Sequence, residues 1–117
     1  MLALKSELAA RDDIPTMIFD EIDVGIGGVT IGAVAAKMAA LAGLRQVIVV
    51  THHAPIAARA DCHLALEKTS EAASTTLSVR RLDDEARVQE LARMLGRKPP
   101  TEATLSMARE LLAEARP

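Results

Sequence analysis

Aromatic side chains are almost missing: the chain has one Phe, no Trp and no Tyr in 117 residues. Half of its residues are nevertheless apolar and about a quarter are charged, a balance that buries a core and argues against disorder. That core has to be aliphatic, built from Ala, Leu, Val, Ile and Met. Cysteine is equally scarce. A lone Cys62 excludes an intrachain disulfide and fits a reducing cytoplasm. Charge of one sign is also lacking. The formal net charge of −2 argues against binding nucleic acid by bulk positive charge. No apolar run reaches the roughly 18 residues that cross a bilayer. The opening MLALKSELAARDD has helically spaced apolar residues and mixed charges, unlike a targeting segment.

What is present reads as alternating strands and helices. Leu2, Leu4, Leu8 and Ala9 suggest a short helix, stopped by Asp12, Asp13 and Pro15. Thr16 to Phe19 is a short apolar run, predicted to be a strand buried on both faces as in a parallel sheet. A glycine-rich loop, DVGIGGV, follows. Ile31, Val34, Ala35, Met38 and Leu41 share one face of a helix over about Thr30 to Ala42, with Gly43 placed to end it. Gln46 to Val50 repeats the buried-strand pattern. Strand, helix, strand predicts a right-handed crossover with parallel strands. Ala54 to Arg59 reads as one short helix. His63 to Glu67 and Thr75 to Leu82 alternate like half-buried strands joined by a polar loop. Helices are expected over Asp84 to Leu95 and Glu102 to Ala115, with Gly96 and Pro99-Pro100 between them and Thr101 as N-cap.

Two segments carry chemistry. In TMIFDEID a buried strand delivers Asp20 and Glu21 to its C-terminal end, where α/β sheets place ligands. An Asp there helps hold Mg²⁺ in P-loop ATPases, and a following Glu can orient or deprotonate water. A strand ending in a solvated acidic turn gives the same pattern. In VIVVTHHAPIAARAD a second strand ends in Thr51-His52, where an imidazole can contact a γ-phosphate. Taken alone, the first end reads more often as that acidic turn and the second as a structural His; the pair, joined by one helix, favours a site.

These residues resemble the ABC ATPases. Asp20-Glu21 looks like the Walker B pair, the loop after it occupies the place of the D-loop, and His52 looks like the switch histidine. Within that superfamily, FDEIDVGIGG followed by VTHHAPIAARAD is similar to the RecN family, as is the tail RVQELARMLG. The resemblance runs from Met1 to about Leu112. It implies an α/β fold: the C-terminal part of an ABC-type P-loop head over residues 1–117, with a terminal hairpin and two helices. It also implies ATP and Mg²⁺ as cofactors, with Asp20 the Mg²⁺-linked carboxylate, Glu21 the catalytic base or water positioner and His52 the γ-phosphate sensor. Asp23, Gly25, Gly27 and Gly28 would form the loop facing a second head in an ATP-dependent homodimer. The implied role is double-strand break repair and recombination, in the bacterial cytoplasm at the nucleoid, with DNA bound through the intact protein and no membrane. Gly27 stands where many ABC heads carry Asp, and His53 where a hydrophobic residue is expected.

A P-loop needs G-x-x-x-x-G-K-[ST], and no Gly-Lys pair occurs in this chain. The signature motif is missing too. Met1 is therefore read as internal to a longer protein or as the start of a truncated one, with the N-terminal half of the head as its partner. The chain alone is expected to be inactive. The rival reading is a non-catalytic module that completes a split or larger head. Other candidates rank low. His52, His53, Asp61, Cys62 and His63 match no common zinc spacing. Arg80, Arg81, Arg87, Arg93, Arg97 and Lys98 read as solvated surface mixed with Asp83 to Glu85 and Glu90, rather than as DNA contacts.

Overall fold

The computed structural model describes residues 13–20, 28–96 and 98–116. The expected helix around Leu2 to Ala9 lies outside them, as do Glu21, Asp23, Gly25 and Gly27. The chain divides into two compact units, 1–59 and 60–117.

In the first unit, strand β1 (Thr16–Asp20) pairs in parallel with β2 (Gln46–Val50), from Thr16 opposite Gln46 to Asp20 opposite Val50. Helix α1 (Gly28–Ala42) connects them, and a short α2 (Ala54–Ala58) follows β2. Parallel neighbours need such a crossover, because a tight turn can only reverse the chain. The predicted helix face is the buried one: Ile31, Val34, Ala35, Met38 and Leu41 pack with Phe19 and Ile56, flanked by Met17, Val47 and Val49. Each large aliphatic side chain buried this way contributes roughly 1.5–3 kcal/mol. At the N-terminal edge of the pair, the Gln46 N–H donates to the Pro15 carbonyl at 3.1 Å and the Thr16 hydroxyl to Gln46 Oε1 at 2.8 Å.

Two expectations need correction here. The strands are covered on one face only: Ile18 is 69% exposed, and Ile48 and Val50 are also exposed. Period-two geometry sends these side chains away from Phe19 and Val49, which face α1. Gly28, read as loop, is instead the first residue of α1. A glycine costs little there, because first-turn N–H groups have no intrahelical acceptor to lose.

In the second unit, β3 (Leu64–Glu71) and β4 (Ser74–Arg81) form an antiparallel hairpin, followed by α3 (Asp84–Leu95) and α4 (Glu102–Ala115). The hairpin is longer than predicted, and the expected polar loop shrinks to a turn at Ala72-Ala73. Thr69 pairs with Thr76 and Ser70 with Thr75; such hydroxyl pairs support a ladder without apolar alternation. Leu64, Leu66, Leu77 and Val79 are all more than half exposed, so the apolar alternation marks a strand without marking a covered face. Helices α3 and α4 pack through Leu91, Ala92 and Ala108, each fully buried. Both N-caps are side-chain caps. Asp83 accepts from the Ala86 N–H at 2.8 Å, and Thr101 and Thr104 form a reciprocal capping box.

Candidate nucleotide site

The parallel register decides what the first unit brings together. Asp20 ends β1 opposite Val50, the last residue of β2. Thr51 and His52 continue from Val50, so the carboxylate and the imidazole emerge at the same, C-terminal end of the sheet. That end is where open α/β sheets hold ligands. Asp20 and His52 are both exposed there. A carboxylate on the open rim offers hard oxygen donors, the kind Mg²⁺ takes together with phosphate oxygens, so Asp20 fits the implied metal.

The turn after β2 is tied down at its backbone. The His53 N–H donates to Thr51 Oγ1 at 3.0 Å. The His53 carbonyl in turn accepts from the N–H groups of Ile56 at 3.2 Å and Ala57 at 3.1 Å. His53 thereby becomes the N-cap of α2, in extended geometry with φ −94° and ψ 117°. Pro55 suits the first turn, where its missing N–H leaves no acceptor unmet. Buried Ala54, Ile56, Ala57 and Ala58 anchor the helix. The two imidazoles lie with ring centroids 4.2 Å apart, tilted by 35°. The sequence marks His53 only as a departure from an expected hydrophobic residue; the ring contact depends on side-chain directions that residue order does not encode.

The second unit has its own polar cluster. Arg93 forms a two-point ion pair with Glu90 through Nε and Nη2, at 2.8 and 2.5 Å. That hydrogen bonding holds the Glu90 carboxyl below its usual pKa, helped by His63 and Lys98, while burial opposes it. His63 is lowered, first by burial and then by the Arg87 guanidinium. Arg87 donates to the Ala60 carbonyl at 2.8 Å. An open cleft of about 660 Å³ is lined by Arg80, Gln89, Glu90, Arg93, Lys98 and Pro100. Arg80 also faces Glu67 at 3.5 Å, so both arginines of the cleft already answer a carboxylate. Among the described residues, no group of three or more His, Cys, Asp or Glu could hold a metal ion. No helix among them is long and apolar enough to cross a membrane.

Known proteins supply the decisive comparison. The chain is 50% identical over 113 residues to the DNA repair protein RecN of Deinococcus radiodurans. It is 48% identical over 112 residues to that of Treponema pallidum and 42% identical over 116 to that of Streptomyces coelicolor. Each match covers at least 96% of this chain. By sequence, this chain is similar to one segment of RecN proteins. It spans about 20% of the length of these relatives. No family model matches. A solved structure from work on ATP-driven dimerization and DNA-stimulated activation of SMC ATPases aligns with a TM-score of 0.62, covering 83% of this chain and 58% of that one. At 21% identity it shows the fold alone: an α/β arrangement shared with SMC ATPases.

Proposed function

We propose that this RecN-like chain forms the γ-phosphate side of a composite ATP site in a DNA-repair ATPase. The observation that carries the reading is the parallel register, with Asp20 opposite Val50, which sets a carboxylate and an imidazole on one sheet rim. Relatives of this chain are named DNA repair proteins, and a fold neighbour is an SMC ATPase.

In this reading Asp20 holds Mg²⁺ together with phosphate oxygens, and the ion supplies charge neutralisation as negative charge shifts toward the leaving group. Glu21 accepts a proton from, or orients, the attacking water. His52 donates a hydrogen bond to the γ-phosphate and senses its loss. Asp23, Gly25, Gly27 and Gly28 meet a second head across the nucleotide. The phosphate cradle comes from the N-terminal half of the head, which also covers Ile18, Ile48 and Val50 on the open sheet face. The protein works in the cytoplasm at the nucleoid, in double-strand break repair and recombination, and reaches DNA through its intact form. One observation favours a second reading, a non-catalytic module that completes a larger head: the chain contains no Gly-Lys pair for a P-loop.

The test is Glu21→Gln in the intact protein. ATP binding should persist while turnover falls by roughly 10²-fold or more, the size of lost general-base help. Near wild-type turnover would remove Glu21 from the mechanism.

A further inference from the structure

We infer that Thr51 and His53 are positioning residues that fix the direction of the His52 imidazole, an inference resting on the proposed role of His52. Three observations converge on the turn. Thr51 Oγ1 accepts the His53 N–H at 3.0 Å, closing a two-residue loop around His52. The His53 carbonyl is held from the other side by the first turn of α2, and Ile56 of that turn belongs to the core cluster of the first unit. The His53 ring then lies 4.2 Å from the His52 ring, centroid to centroid.

Without those ties, His52 would be an exposed side chain between a strand end and a five-residue helix. Each tie lost would widen the range of its backbone and of its ring rotamers. The hydroxyl fixes the backbone at Thr51–His53, and the neighbouring imidazole restricts the ring. A hydrogen-bond donor aimed before substrate arrives lowers the barrier without reorganising during reaction, and about 1 Å of misplacement can cost on the order of 10²-fold. The departure at position 53, a second imidazole, acquires a purpose: it offers a flat, partly buried face to its neighbour.

The experiment is steady-state ATP turnover of the intact protein carrying His52→Ala, Thr51→Val, Thr51→Ser, His53→Ala, His53→Phe, and the double variant of His52→Ala with His53→Ala. Valine keeps the shape of threonine but cannot accept the N–H; serine can. Phenylalanine keeps a flat ring; alanine does not. Thr51→Val and His53→Ala should each lower kcat by about 10-fold with KM for ATP within about 2-fold, the pattern of an interaction made in the transition state. Thr51→Ser and His53→Phe should stay within about 2-fold of wild type. Once His52 is alanine, removing His53 should cost nothing more, because coupled residues are non-additive. A purely structural role would add. Should Thr51→Val fail to fold, the His53 pair and the double variant decide. The inference fails if His52→Ala is impaired while Thr51→Val and His53→Ala keep wild-type kcat, or if they raise KM alone. Wild-type turnover in His52→Ala would remove both the role of His52 and its positioning.

Discussion

His63 stands just before β3 with its Nδ1 buried and no hydrogen-bond partner within the described residues. Burial and then Arg87 hold its pKa below 6.5, with Glu90 opposing. The folded state therefore takes up a proton less readily than the unfolded chain. Stability from His63 is intact above pH 6.5 and is lost as pH falls from there through the lower folded value. Glu90 also has a lowered pKa, but its contribution is lost only below its ordinary 4.5, so the two windows separate. Amide exchange in α3, corrected for intrinsic rates, should show protection falling between pH 7.5 and pH 5.5, and His63→Gln should flatten that fall. An unchanged fall in the variant would place the titrating group elsewhere. None of this was legible in the sequence, where His63 drew attention only as a poor zinc ligand. Its environment comes from Arg87 and Glu90, a helix away.

At the scale of elements, glycine separates two kinds of position. A Cβ on Gly96 would sit 2.8 Å from Thr104 Cγ2, inside the junction between α3 and α4. A Cβ on Gly32, within α1, would meet nothing within 4 Å. Gly96→Ala should therefore destabilise the α3–α4 pair by about 1–3 kcal/mol through overpacking, whereas Gly32→Ala should stabilise α1 by about 0.5–1 kcal/mol. Chemical denaturation of the two variants checks the signs; equal effects would mean that backbone entropy alone matters at both. Periodicity anticipates the described helices closely, because α1 keeps its apolar stripe on one face and Asp83 and Thr101 cap their helices with their own side chains. It lost the far end of the hairpin, where Lys68, Thr69 and Ser70 form strand without any apolar alternation. It also put Gly28 in the loop, since a glycine at a helix start looks the same as one before it.

The whole molecule exposes more apolar surface than its two cores explain. Ile18, Ile48 and Val50 share the open face of the parallel pair, and Leu64, Leu66, Leu77 and Val79 share one face of the hairpin. Strands apolar on both faces ordinarily lie inside a larger sheet sandwich, so the sequence pattern is consistent with a fuller head even though one face is bare. The chain reaches across about 20% of its RecN relatives. Its edges and faces should drive self-association when it is purified alone. The shared sheet end of Asp20 and His52 was legible because two strand ends at parallel register need only one helix between them. The bracing of His52 was not, since it depends on how a two-residue turn closes.

In the function proposed above, this chain holds one side of an ATP site and lacks the Gly-Lys cradle that binds the phosphates. Backbone N–H groups and a Lys supply most of the affinity in such sites. Calorimetry with Mg-ATP, paired with a turnover assay, tests this on the chain alone and on the chain mixed with an N-terminal complement that carries a P-loop. Affinity weaker than about 1 mM is expected for the chain alone, a binding free energy of only about −4 kcal/mol. The chain alone should hydrolyse no ATP, and the mixture should restore turnover. Micromolar binding with steady hydrolysis by a monomeric preparation of the chain alone would contradict it.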